Sequence, residues 1–260
     1  MGVMELHSVR GEQGIITYGF TSRRGGVSTG EYGELNLGPH VGDSAEAVAL
    51  NRQIVGREFS EPIVWMNQVH SDVYRCASQA MQINGALTVG DADAVIIEHG
   101  QAAAVMVADC IPLILLDVTG TRAAVVHVGR AGLEKEIALK VREAMCERGT
   151  AASAIRGIVG PHICGRCYEV PADMMYAIGS RFSRAISQTS WGTPALDLSA
   201  GLAEQLGMEL DISRYCTRES ELYFSHRRSS TLGKQAGRFA GIVEVATHPG
   251  RFHEELPQLS

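Results

Sequence analysis

The stretch from Ala103 to Gly132 constrains the fold more than any other part of this chain. It holds three apolar runs, 103–108, 111–116 and 123–128, interrupted or followed by Asp109, Cys110, His127 and Arg130. The runs are short, rich in β-branched residues and bounded by turn residues, so they read as buried strands. Residues 118–121 supply a hairpin turn. With Asp117 opposite Arg122, Pro112 falls opposite His127, and the period-two rule puts Cys110 on the same face as Pro112. The Cα atoms of Cys110 and His127 are then diagonal neighbours, about 7–8 Å apart. A metal ion between the two side chains closes that gap.

A thiolate facing an imidazole admits a transition-metal site that needs a third ligand. It equally admits a cysteine nucleophile activated by histidine. A buried cysteine packing as a small hydrophobe is the plain alternative. The residues of this stretch leave the three open.

The remaining composition narrows the class. A 45 % apolar and 20 % charged chain supports a full core and excludes global disorder. At net charge −6, with no Lys/Arg-rich run, it lacks the basic face of a nucleic-acid binder. The first residues show neither a basic nor an apolar targeting region, and no apolar run approaches the ~18 residues of a membrane span. The six cysteines are scattered, which suggests reduced thiols and a cytoplasmic setting. Without an internal repeat or a low-complexity linker, a single domain over residues 1–260 is expected.

Along the chain, 14–20 reads as a strand, followed by a Gly-rich loop, 21–30, which on its own residues reads as a surface turn, although its backbone N–H groups could hold an anion. That loop lacks the Lys-Ser/Thr ending of a P-loop. Asp43 with Glu46 predicts a helix start, and 44–58 a helix with Ala47, Val48, Asn51 and Val55 on one face and Arg52 toward solvent. Residues 63–72 read as a strand and its exit, ending in Gln68 and His70. Residues 91–97 read as another strand, with Asp91 and Asp93 on one face, where two carboxylates can work as an acid/base pair but more readily serve turn hydrogen bonds. Gly129 to Gly132 leads into one helix striped by Leu133, Ile137, Val141 and Met145 and ended by Gly149. After a strand within 155–163, Cys164 and Cys167 form a lone Cys-x-x-Cys, which without a second pair does not read as a metal site. Pro171 opens a helix carrying Met174, Met175, Ile178 and Phe182. Asp197 caps another carrying Leu198, Leu202, Leu206 and Leu210. Arg227, Arg228 and Arg238 form a cationic cluster, and residues after Val245 read as a tail.

Several motifs now line up in order: Arg24-Gly-Gly-Val-Ser28, Asn36-Leu-Gly38, Val41-Gly-Asp43, Asn67-Gln-Val-His70, Asp91-Ala-Asp-Ala94, Ala108-Asp-Cys-Ile-Pro112 and His127 with Gly129. Gly160-Pro161, Ile163, Cys167-Tyr-Glu-Val170, Phe224-Ser225, Arg227-Arg228 and Gly237-Arg238 complete them. On these the chain resembles the laccase-domain purine nucleoside phosphorylase family, YfiH type, formerly called multicopper polyphenol oxidase. The resemblance covers roughly residues 15–245. It implies an α+β fold, mixed β-sheets flanked by helices, and a zinc ion held by His70, Cys110 and His127. Three ligands with one open position is the pattern of a catalytic zinc site. It also implies phosphorolysis of adenosine, inosine, guanosine and methylthioadenosine, with deamination of adenosine. Arg24, Arg52, Arg130, Arg227 and Arg238 are then candidates to hold phosphate, and Asn36 and Gln68 candidates on the substrate. Asp109 and Cys110 are the candidate catalytic residues, Asp109 orienting a ligand or transferring a proton. One departure stands out. The family commonly reads His-Ala-Gly-Trp-Arg-Gly where this chain reads His127-Val-Gly-Arg-Ala-Gly132.

Three other readings compete. One is a copper-dependent polyphenol oxidase; no His-x-His occurs here, which argues against a multicopper centre, although one Cys with two His suits a single copper. Another is a Cys–His hydrolase acting on cell-wall peptides. The last is a non-enzymatic metal-binding partner protein. An oligomer is compatible with all of them.

Overall fold

The computed structural model describes residues 3–246. The chain begins with strands β1 (Met4–Arg10) and β2 (Ile15–Thr21), helix α1 (Ala45–Gly56), and strands β3 (Ile63–Asn67), β4 (Tyr74–Cys76), β5 (Met81–Ile83) and β6 (Ala86–Asp91). Strands β7 (Ala94–Glu98), β8 (Gln101–Val107), β9 (Ile111–Asp117) and β10 (Arg122–Val128) follow, then helices α2 (Arg130–Glu134) and α3 (Ile137–Glu147). The last part holds β11 (Ile155–Val159), α4 (Ala172–Gly179), β12 (Ile186–Gln188), β13 (Pro194–Leu196), α5 (Leu198–Leu206), β14 (Leu210–Ile212), α6 (His226–Thr231) and β15 (Phe239–Ala246).

Two mixed sheets carry the structure. One has seven strands in the order β1-β2-β15-β8-β3-β6-β5, the other six in the order β14-β11-β9-β10-β7-β4, and β12 with β13 forms a small ribbon. Their facing surfaces share one core, in which Val64, Val105 and Val243 meet Val95, Ile114 and Val125. The outer face of the six-stranded sheet, with Ile96, Leu113 and Val126, is covered by Leu133, Val141, Ile178 and Leu202 of the helices. The outer face of the seven-stranded sheet, with Trp65, Ala104 and Ile242, is covered by Val55 of α1 and by Leu35 and Leu37. This four-layer arrangement is the mixed α+β fold expected, with sheets flanked by helices. It explains why the central runs are continuously apolar. Strand β9 is buried along all its length because both of its faces are covered.

The central hairpin has the expected register: His127 pairs with Pro112 and Val128 with Ile111. Its turn is closed by Asp117, whose carboxylate accepts from Thr119 N and Thr121 Oγ1, with Gly120 at φ 87°. Strand β8, however, lies in the other sheet. Residues 108–110 therefore cross between sheets, and Cys110 stands at the mouth of β9 instead of inside it.

Other boundaries differ from expectation for local reasons. Strand β1 was not foreseen; its exposed residues alternate too weakly to show a buried face. Asp91 closes β6 in one sheet, whereas β7 starts at Ala94 in the other, so Asp91 and Asp93 do not share a strand face. The α1 cap is Ser44, which accepts from Ala47 N; Asp43 instead accepts from Ser28 Oγ and Asn36 Nδ2. The helix after Gly129 breaks into α2 and α3 at Glu136, whose φ of 61° is left-handed. Gly207, also left-handed, ends α5, which leaves Leu210 to β14. Phe182 is buried beyond the end of α4. Val245 and Ala246 end β15, and the rest of the expected tail lies outside the described residues.

Ile114 is fully buried between the two sheets. Ile114→Ala should cost about 2–5 kcal/mol. Urea unfolding of the two proteins should show a lower midpoint with an unchanged slope.

Candidate functional site

At one place the chain passes from the seven-stranded to the six-stranded sheet three times: between β3 and β4, between β6 and β7, and between β8 and β9. Backbone hydrogen bonds knit the first two crossings together, Ala92 N to Asn67 O at 3.1 Å and Asp93 N to Val73 O at 2.9 Å. His127 N donates to Asp93 O at 2.8 Å, bringing in the end of β10. The crossings carry His70, Asp93 and Asp109–Cys110.

Asp93 is fully buried and accepts from every side. His70 N donates to it at 3.0 Å, Ser71 through both N and Oγ, and Val69 N at 3.3 Å. These bonds hold His70 at a left-handed φ of 56°, a conformation histidine tolerates better than most residues. The other Asp93 contact is His127 Nδ1 at 2.8 Å. An ionised carboxylate only accepts, so Nδ1 carries a proton, and Nε2 is the nitrogen turned to the site, able to ligate once its own proton is lost. Burial alone would raise the Asp93 carboxyl; hydrogen bonds from His127 and Ser71 outweigh it and bring it down to about 2.

The donor atoms of His70, Cys110 and His127 lie within 4.8 Å of one another. The two imidazoles meet edge to face, centroids 4.7 Å apart at 70°. Burial would push the Cys110 thiol up, but the charge and hydrogen bond of His127, with help from His70, pull it down to about 6. His127 moves oppositely: burial disfavours its charge, and Cys110 with Asp93 raises it to about 9. The neighbouring backbone leaves room for this cluster. A Cβ added at Gly129 would lie 2.9 Å from Cys110 Sγ and 3.4 Å from His70 Cδ2. One soft sulfur, two imidazoles and a carboxylate fixing one ring form a donor set that fits a tetrahedral metal with a free position.

The cluster opens onto a cavity of about 350 Å³, within the range of small-molecule sites. Gln68, Asp109, Arg130, Arg227 and Arg238 line it. Gln68 is held at both ends by Met106, donating to its carbonyl at 2.7 Å and accepting from its N–H at 2.8 Å. Arg227 donates to Glu169 O and lies over the Tyr168 ring, and Arg238 donates to the Ala236 and Gly237 carbonyls. Arg130, at the position where this chain departs from the usual family pattern, pairs with Glu134. Asp109, at φ 88°, accepts from Thr217 Oγ1 and from Arg227 N, both at 2.6 Å.

Three candidates are not brought to the cavity. Arg24 is exposed on the Gly-rich loop. Asn36 is fully buried and joins loops, bonding Gly38, Asp43 and the backbone N–H of Arg238. Arg52, expected to face solvent, instead lies 4.0 Å over Trp65 and donates to Leu37 O and Met106 Sδ. Burial pulls its pKa down to about 10, so it stays charged at neutral pH. Arg228, the third member of the cationic cluster, spends its guanidinium on the carbonyls of Thr217, Arg218, Ser220 and Tyr223.

His40, Tyr168 and His226 also line the cavity and were not foreseen there; Tyr168 stood in the Cys167-Tyr-Glu-Val170 motif without a role, and His40 and His226 are isolated residues in a loop and at a helix start, with no spacing to mark them. The sequence reading also treated the Cys164–Cys167 pair as incomplete. The structure corrects this: Cys216 and Glu219 arrive from a distant loop, and the four donors lie within 4.8 Å of one another. Burial pushes the Cys167 thiol up, and the neighbouring cysteines add to it.

The family described as "Multi-copper polyphenol oxidoreductase laccase" matches residues 17–246. The chain belongs to this laccase-domain family, of the YfiH/YlmD type. It is similar to a purine nucleoside phosphorylase of Streptomyces coelicolor, 42 % identical over 85 % of this chain and 93 % of that one. It is also similar to a purine nucleoside phosphorylase of Mycobacterium tuberculosis, 37 % identical over 91 % and 96 %. Among solved structures, a Neisseria meningitidis protein superposes with a TM-score of 0.76 at 31 % identity, covering 89 % of this chain and 94 % of that one. YlmD from Geobacillus stearothermophilus gives 0.77 at 27 %, covering 89 % and 92 %. Among the described residues, no helix of this laccase-domain protein is long and apolar enough to cross a membrane.

Removing the Asp93 charge, or filling the space at Gly129, should loosen the His70–Cys110–His127 cluster. Asp93→Asn and Gly129→Ala should each weaken metal retention about 10–100-fold in chelator competition. In metal-stripped protein, alkylation of Cys110 should rise with a midpoint near pH 6, because the thiolate is favoured above its lowered pKa. His127→Ala should move that midpoint upward.

Proposed function

We propose that this laccase-domain protein is a zinc-dependent purine nucleoside phosphorylase that also deaminates adenosine. The observation that carries the reading is a single cavity in which the His70–Cys110–His127 cluster faces Arg227 and Arg238. The names of the Streptomyces and Mycobacterium relatives, matched over nearly their whole lengths, support the substrate class. Adenosine, inosine, guanosine and methylthioadenosine are the proposed nucleosides, with phosphate as co-substrate.

His70, Cys110 and His127 would hold the zinc, whose chemistry when bound is that of a Lewis acid. The protein's own groups set the geometry around it. Asp93 fixes the His127 tautomer. Arg227 and Arg238 are anchored through backbone carbonyls, so their remaining N–H groups can face a phosphate without losing orientation. Asp109 accepts the backbone N–H of Arg227 and thereby positions that residue. Tyr168, with the Arg227 guanidinium over its ring, forms a wall of the cavity against which a purine would pack.

A second reading has one observation of its own: Asp93, His127 and Cys110 form an orienter–base–nucleophile chain. That chain would serve a Cys–His hydrolase acting on cell-wall peptides. His70, whose imidazole reaches the same sulfur, favours the metal. Alkylation separates the two, since Cys110 should resist labelling in zinc-loaded protein and react after chelation.

Incubating adenosine with and without phosphate tests the main proposal. Adenine and ribose 1-phosphate should form only with phosphate, and inosine in either case. His70→Ala, Cys110→Ala and His127→Ala should each lose zinc and turnover. Arg227→Ala and Arg238→Ala should keep zinc while raising KM for phosphate by about 10–100-fold, the loss of one charge-assisted hydrogen bond. Full turnover in any ligand variant, or no nucleoside product from zinc-loaded protein, would end the proposal.

A further inference from the structure

We propose that Cys164, Cys167, Cys216 and Glu219 hold a second zinc ion, a structural one, which fastens two loops that together build a wall of the cavity. The four donors come from two tight turns. In the first, Cys167 N and Tyr168 N both donate to Cys164 O, at 2.9 and 3.0 Å, which curls Cys164-Gly-Arg-Cys167 around a centre. In the second, Glu219 N and Ser220 N donate to Cys216 O at 3.2 and 2.9 Å. The turns face each other: Cys164 N donates to Cys216 Sγ at 3.4 Å, and Cys167 Sγ lies 3.4 Å from Glu219 Oε1. Backbone pairing of His162 with Cys216 and Thr217 holds them in register.

The geometry suits zinc. Tetrahedral coordination with Zn–S near 2.3 Å places sulfurs about 3.8 Å apart, inside the 4.8 Å that encloses all four donors. Three thiolates select zinc over magnesium or calcium. Four protein donors fill the coordination sphere, so this site is closed, unlike the three-donor cluster at the cavity. Arg218 Nη1, 3.8 Å from Cys167 Sγ, offsets part of the negative charge that three thiolates and a carboxylate bring.

The location gives the ion a task. Ile163 and Tyr168, on either side of the first turn, line the cavity. Thr217, on the second, donates to Asp109, which in turn accepts the Arg227 N–H. The ion touches none of the reacting groups; it would hold the platform on which Asp109, Tyr168 and Arg227 sit. Cys164, Cys167 and Cys216 are in this sense positioning residues.

Protein purified under reducing conditions without added metal should contain two zinc ions per chain by elemental mass spectrometry. Cys110→Ala and His127→Ala should contain one, and so should Cys164→Ser/Cys167→Ser. Because the double variant can fail to fold, cobalt supplies an independent test. Metal-stripped Cys110→Ala loaded with Co(II) has no cavity-site sulfur, yet should show tetrahedral d–d bands and strong thiolate-to-cobalt charge transfer. A Cys167→Ser variant that folds should lose thermal stability and shift KM more than kcat, while keeping cavity zinc. One zinc per chain that disappears in Cys110→Ala, absence of charge transfer in that variant, or a disulfide among the three cysteines in a peptide map would each overturn the inference. Failure of the nucleoside assay would leave these metal counts unchanged, so the two proposals fall separately.

Discussion

The buried carboxylate of Asp93 is the interaction on which the site depends. An ionised group with no exposure is tolerable only when its lone pairs are filled, and Asp93 fills them with donors from the His70–Ser71 segment and from His127. Each of those bonds does structural and chemical work together. They close the passage of chain between two sheets, force His70 into a left-handed backbone, and decide which nitrogen of His127 is free. Losing the carboxylate would leave several backbone N–H groups without their acceptor as well as an unanchored imidazole.

Much of this was readable in the sequence, and the reason is physical. Buried strands declare themselves through continuous apolar runs, and a short turn fixes hairpin register, so the pairing of His127 with Pro112 followed from counting residues. The family pattern then brought His70 to the same pair. The role of Asp93 was not legible. Two acidic residues separated by one alanine look like a shared strand face, but the chain changes sheets between them, and Asp91 turns instead to Asn67. Nor could spacing reveal the meeting of Cys164 and Cys167 with Cys216 and Glu219, which the fold brings together from separate loops.

The arginines illustrate the same limit. Arg24, Arg52, Arg130, Arg227 and Arg238 are equivalent by residue type, yet the fold sorts them. Arg52 is consumed by Trp65 and by Leu37 O, and Arg24 stays on the surface. Arg227 and Arg238 are tied down by carbonyls close enough to the cavity to remain useful. Backbone carbonyls neutralise no charge, so these two guanidinium groups remain cationic where an anion could approach.

The crossings between sheets have one more consequence. His127 stands on the six-stranded leaf, whereas His70 and Cys110 hang from the straps that join it to the seven-stranded leaf. Any slippage of one leaf across the other would spread the three donors apart. An ion gripped there would act as a clasp, so its binding energy would be felt as mechanical cohesion between layers far wider than the ion itself.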